Sequence, residues 1–281
     1  MTSGAQVQTQ PRTGTFPNGM AYVSAGQGPS TLLWIRGRPG TTMPEGPALQ
    51  MLSRQFLAPL LGAGYTVWVV TRRPRPSRGA RVEDMAKDYA AVLQDQLAGH
   101  VDLLLGDTFG GFIVQHLAAT NPEAIDRLAL VNTAARISNW GTDVDTRMAT
   151  ALAAGDIGAA GAVMAEAVLP GRALTVARRL FGPALLKALL TGCPAEDYVI
   201  ELQAEIAFDA GPVLTRIAAP TLLVWGDRDP FFTRTQIDQT AASIPTCKLR
   251  TYPGYGFLRS RFSSRFVHDV VSFCGSEPTP P

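Results

Sequence analysis

Histidine is scarce in this chain. Only three occur in 281 residues, His100, His116 and His268, so any chemistry that needs an imidazole base has few places to find one. Cysteine is equally sparse. Cys193, Cys247 and Cys274 are widely spaced and odd in number, which excludes a disulfide framework and a zinc-site spacing and makes each a small core residue. No apolar run approaches the ~20 residues that span a bilayer. The opening MTSGAQVQTQPRTGTFPNG is polar and lacks the apolar core of a signal peptide, so a cytoplasmic location is expected. Net charge is only +2, and no nucleic-acid motif accompanies it, so neither nucleic acid nor a membrane is expected as a partner. No cofactor or metal motif is found either, and none is expected. What remains is a small-molecule ligand or substrate, with a homodimer left open.

What is present is a long, well-patterned globular chain, 46% hydrophobic and 17% charged, enough for one large domain with an insertion. Short runs rich in β-branched and aromatic residues recur: TLLWIRG from Thr31, YTVWVV from Tyr65, VDLLLG from Val101, LALVN from Leu128, TLLVWG from Thr221 and KLRTY from Lys248. Their nearly unbroken apolar character is that of strands buried on both faces. Helical patterns separate them. VEDMAKDYAAVLQDQL puts Val82, Met85, Tyr89, Val92 and Leu93 on one stripe. Such alternation predicts a mostly parallel, doubly wound α/β sheet. It stops between about Arg136 and Pro212, where alanine- and leucine-rich segments predict four or so helices. The organisation expected is a core over 20–135 and 213–275, a helical cap over 136–212, and mobile tails at 1–19 and 276–281.

The segment LLLGDTFGG, from Leu103, runs from a strand into glycines around one central side chain, Thr108. It resembles the Gly-x-Ser-x-Gly-Gly elbow of the α/β-hydrolase superfamily. LLWIRGRPG resembles that family's loop after the third strand, and FDAGPVLTRIAAPTLLVWGDRDP its approach to the acid-bearing turn. YPGYGFL occupies the place of its Gly-His turn. The resemblance runs from about residue 20 to 275 and implies an α/β-hydrolase fold with a helical cap. It places the triad at Thr108, Asp229 and Phe257. It implies backbone oxyanion donors at Arg38 and Phe109.

The departures matter more than the match. A hydroxyl is a weak nucleophile and needs an oriented base within hydrogen-bond reach. Phe257 has no proton-accepting atom. His116 lies roughly 12 Å along the helix that follows Thr108, His100 precedes the elbow strand, and His268 lies in the last helix. None is expected at the site. Thr108 is also β-branched at a turn that demands positive φ.

The sequence therefore predicts a degenerate triad and non-hydrolytic chemistry of cyclisation, lyase or rearrangement type, on a small, largely apolar molecule that an anionic group would suit. A ligand-binding or scaffold role and a weak hydrolase are the alternatives. Tyr255 or Asp229 is expected to move a proton. Arg36, Trp140, Met148 and Phe181 are expected to bind substrate. Arg36, Arg38, Arg72, Arg73 and Arg75 on neighbouring loops would favour an anion, unless they form a solvated basic loop.

Overall fold

The apolar runs become strands of one eight-stranded sheet in the computed structural model, which describes residues 11–167 and 174–275, with KLRTY at one edge. The strands are β1 Arg12–Thr15, β2 Ala21–Ala25, β3 Ser30–Ile35, β4 Tyr65–Val70, β5 Leu103–Asp107, β6 Leu128–Val131, β7 Thr221–Gly226 and β8 Cys247–Tyr252. Their order is β1-β2-β4-β3-β5-β6-β7-β8. From β4 to β8 every pairing is parallel. Every residue of β5, β6 and β7 is buried, because helices cover both faces and leave no solvent side to pattern.

The helices in chain order are α1 Gly46–Met51, a π-helical stretch Leu52–Leu57, α2 Ala58–Gly62, α3 Val82–Gln96, α4 Phe109–Thr120, α5 Asn139–Ala153, α6 Ile157–Met164, α7 Thr175–Leu189, α8 Ala195–Ala207, α9 Arg234–Ser243, α10 Phe257–Arg261 and α11 Arg265–Gly275. On one face α3, α4 and α9 bury the first core, including Tyr89, Phe112 and Ile237. On the other, the α1–α2 segment and α11 bury a second core around Trp34, Phe56 and Phe266. The stripe expected on α3 is the buried one, and Tyr89 OH donates to the Val70 carbonyl at 3.1 Å. Each such apolar side chain contributes about 1.5–3 kcal/mol by leaving water.

Between β6 and β7 the chain leaves the sheet and forms α5 to α8, which hold a small core of their own around Met148, Leu152, Leu186 and Leu202. These helices fall within the stretch expected to be helical. No helix among the described residues is long and apolar enough to cross a membrane.

One expectation is corrected. Residues 12–15 are not part of a tail: they form β1, antiparallel to β2, which itself pairs antiparallel with β4. RTGT has no apolar period to reveal a strand; backbone pairing holds it, helped by the Phe16 ring stacked on Tyr22 at 4.5 Å. Residues 16–19 make the turn into β2 with Phe16 buried, so of the expected tails only 1–10 and 276–281 lie outside the described residues.

Candidate active site

β5 ends at Asp107, and Thr108 makes the turn into α4 with φ 48° and ψ −118°. A β-branched residue there is strained by about 1–3 kcal/mol. The turn is possible because its neighbours are glycines. A Cβ on Gly110 would lie 2.0 Å from the Ile35 carbonyl oxygen, so α4 can approach β3 this closely only without one. Gly37 is equally tight: a Cβ there would fall 1.8 Å from Thr108 Oγ1. The threonine hydroxyl therefore rests against the loop that follows β3.

That loop is held from several sides. Arg72, fully paired with Glu201 through Nε at 2.5 Å, donates to the carbonyls of Arg36 at 2.7 Å and Gly37 at 3.2 Å. Arg261 donates to the Arg38 carbonyl at 3.1 Å. The Gly37 N–H donates to Asp107 Oδ1 at 3.1 Å, and Trp34 Nε1–H to Asp107 Oδ2 at 2.8 Å. Asp107 is thus a brace for the loop. The Arg38 and Phe109 backbone N–H groups have no hydrogen-bond partner among the described residues. These are the two donors expected for an oxyanion hole, and the Phe109 N–H is the first of α4, free of any intrahelical bond and so available to a ligand.

Beside them opens a cavity of about 250 Å3. Its walls include Thr108, Phe109, Met148, Phe231 and Phe257. Arg38, Asp145, Tyr198 and Glu205 add polar groups from the loop, α5 and α8. Phe257 begins α10 and packs on Phe231 with ring centroids 4.8 Å apart. It presents only hydrocarbon to the cavity. His100, His116 and His268 do not line the cavity.

Several expected site residues lie elsewhere. Asp229 is buried on the turn after β7, where Oδ1 accepts from the Phe231 N–H at 2.9 Å and Oδ2 has no partner. Burial pushes its carboxyl up to about 7, against the pull of that one hydrogen bond. It does not line the cavity. Neither does Tyr255, whose ring lies 4.1 Å from the Arg259 guanidinium carbon and on the α11 side of the sheet. Hydrogen bonding from Arg265 holds its phenol below the ordinary value. Trp140 stands behind Phe231, edge to face at 5.1 Å. Phe181 is 66% exposed on α7. Leu185 and Leu189, one and two turns further along the same stripe, reach the cavity instead. Arg36 lines a separate, smaller cavity on the α11 face.

The basic loops are largely neutralised. Arg38 contacts Asp145 Oδ2 at 2.8 Å and Glu205 Oε2 at 2.6 Å, Arg72 contacts Glu201, and Arg73 contacts Asp88 at 2.6 Å. The Arg75 backbone N–H donates to Asp197 at 3.0 Å. The expectation of a five-arginine anion cluster fails for Arg38, Arg72 and Arg73, because α5, α8 and α3 bring carboxylates to meet them. Desolvation opposes the charge on Arg38, but Asp145 and Glu205 outweigh it and raise its pKa. Two buried carboxyls facing one guanidinium cannot both ionise easily. Burial raises both, and Glu205 reaches about 8. The Glu205 contact is off the hydrogen-bond line, leaving Oε2 without a hydrogen bond at the cavity wall.

The carboxyls of α8 are functional candidates that the sequence reading missed. Their signal was present: Asp197, Glu201 and Glu205 recur every four residues in AEDYVIELQAEIA, on the same side as Tyr198 and Leu202. Acids at that spacing normally form a solvated face, yet all three are buried here.

No family model matches the chain. A curated relative, 2-hydroxymuconate semialdehyde hydrolase of Pseudomonas sp. (strain CF600), is 34% identical over 110 residues, which is 39% of this chain and 34% of that protein. The chain thus aligns with only about a third of that relative's length. Among solved structures, the enol-lactonase from Burkholderia xenovorans LB400 superposes with a TM-score of 0.72 at 21% identity, covering 94% of this chain and 100% of that one. An α/β hydrolase from a Medee basin deep-sea metagenome library reaches 0.75 at 13% identity, covering 96% and 99%. The parallel core, the strained elbow after β5, the helices inserted after β6 and these superpositions agree: this chain has the α/β-hydrolase fold.

Proposed function

We propose that this protein is an enzyme acting on a small, largely apolar carbonyl compound by proton transfer, in a cyclisation, lyase or rearrangement type of reaction, with no acyl-enzyme on Thr108. The observation that carries this reading is the pair of unpartnered N–H groups, Arg38 and Phe109, beside an apolar cavity whose wall also holds the Glu205 carboxyl. A carbonyl oxygen between the two N–H groups gains stabilisation as it becomes an enolate oxygen. The α-carbon proton then moves to or from Glu205, whose raised pKa suits exchange near neutral pH. Glu205 takes the role expected of Tyr255 or Asp229. Phe257 leaves Thr108 without a base, so the hydroxyl is a positioning group at most.

The test is deuterium exchange into the α-position of apolar ketones and 1,3-diketones in D2O, followed by proton NMR. Wild type should catalyse exchange, and Glu205→Gln should lose about 100-fold or more, the usual worth of a positioned acid or base. Thr108→Ala should keep most of the exchange. Ester turnover or fluorophosphonate labelling that depends on Thr108 would overturn the reading. Ligand binding with no exchange would leave the noncatalytic alternative, which the predominantly apolar wall around Phe257 also suits.

A further inference from the structure

The sheet carries a second hollow beside the elbow, on the face packed by α1 and α11. It holds about 60 Å3, roughly two waters' share of space. Trp34, Phe56 and Phe266 form apolar walls, and Thr108, Arg261 and Phe262 are shared with the larger cavity. Three polar groups in it have unusual accounts. Asn132 follows β6 with φ 47°, is fully buried, and neither Nδ2 nor Oδ1 has a partner. The Arg36 guanidinium makes no hydrogen bond or ion pair among the described residues, although burial penalises its charge. Arg261 stands 3.8 Å from Asp107, whose carboxylate is already engaged by Gly37 and Trp34. Two cations therefore face one occupied anion, with Arg72 nearby matched to Glu201. One positive charge is left over in a low-dielectric pocket, where an uncompensated charge is costly.

We propose that this hollow binds a compact carboxylate, held by Arg36 and Arg261 and capped by the Asn132 amide. The space fits a carboxylate with one methyl group. A guanidinium offers paired donors to it, and the Asn132 Nδ2–H2 supplies a further donor that now has no acceptor. The site is distinct from the oxyanion donors and does not depend on the proton-transfer reading. The carboxylate is either free or borne by a molecule whose apolar body passes Thr108 into the larger cavity.

Isothermal titration at low salt distinguishes these sources. Acetate, acetamide, phosphate and 3-phenylpropionate are titrated into wild type, Arg36→Gln and Asn132→Gly, the glycine being tolerant of the positive φ. Saturable acetate binding is expected, weakened at least about tenfold in each variant, as loss of one charge-assisted hydrogen bond implies. Tighter 3-phenylpropionate binding with the same variant dependence assigns the carboxylate to a larger ligand; equal binding assigns it to a free anion. The proposal is overturned if acetate does not saturate, if acetamide or phosphate binds as well, or if both folded variants bind like wild type. Asn132 would then be satisfied by water. None of these outcomes bears on α-proton exchange, which is read separately.

Discussion

Asp229 offers a direct measure of what burial with one oxygen unpartnered does to a carboxyl. An ordinary aspartate titrates near 3.8, and burial carries this one to about 7. The raised value fixes the sign. Below about pH 3.8 the folded and unfolded chains both hold the proton, and the group costs nothing. Between the two values the folded chain holds a proton that the unfolded chain has released, so stability falls as pH rises, and the loss is complete above about 7. Linkage puts the loss at about 2 kcal/mol at pH 5 and about 4 kcal/mol at pH 8. Asp229→Asn removes the titration while keeping an acceptor for the Phe231 N–H. Its buried amide N–H2 lacks a partner much as the neutral acid does, so that penalty is similar at both pH values. Relative to wild type, the variant should therefore gain about 2–3 kcal/mol on going from pH 5 to pH 8. That corresponds to about 3–5 °C in Tm for a chain of this size. Calorimetric scans of both proteins at the two pH values provide the assay. Equal Tm differences at pH 5 and pH 8 would refute the claim that Asp229 is buried, unpaired and protonated near neutrality.

Three other outcomes follow from the same geometry. The double variant Thr108→Ser with Phe257→His should gain fluorophosphonate labelling that neither single variant shows, because nucleophile, base and Asp229 are then all present. Arg38→Met should destabilise by about 3–5 kcal/mol in urea melts, since it strands Asp145 and Glu205 without a cation. Placing one of these carboxyls as Asn or Gln in the same variant should recover part of the loss. Gly110→Ala should cost at least about 3 kcal/mol, or prevent folding, because the added Cβ meets the Ile35 carbonyl and backbone cannot step aside as a side chain can.

The fold was legible where burial on both faces writes itself as unbroken apolar runs, as in LLLGD and TLLVWG. It was illegible at β1, where RTGT is held by backbone hydrogen bonds that any side chains allow. The turn at Thr108 was legible because glycine spacing marks a sharp passage from strand to helix. What faces Thr108 was not. Trp140 and Phe181 are large and apolar in the right stretch, but one stands behind Phe231 and the other a turn too early on α7. Glu205 looks like a surface acid until α8 is seen lying against Arg38 and Arg72. That pairing joins residues more than a hundred positions apart, and no local pattern encodes it.

The carboxylates of α8 have a further consequence for motion. They belong to the inserted helices, whereas Arg38 and Arg72 belong to loops of the sheet. Lifting α8 would separate those opposite charges and expose the mismatch to whatever solvent follows, a cost of several kcal/mol for each stranded ion. The insertion is therefore latched through both its first and last helices, since Asp145 of α5 shares Arg38 with Glu205 of α8. Within the insertion, α7 carries Val176, Leu180 and Phe181 exposed and meets the cavity through Leu185 and Leu189. These ion pairs hold the loop after β3 in register against the inserted helices.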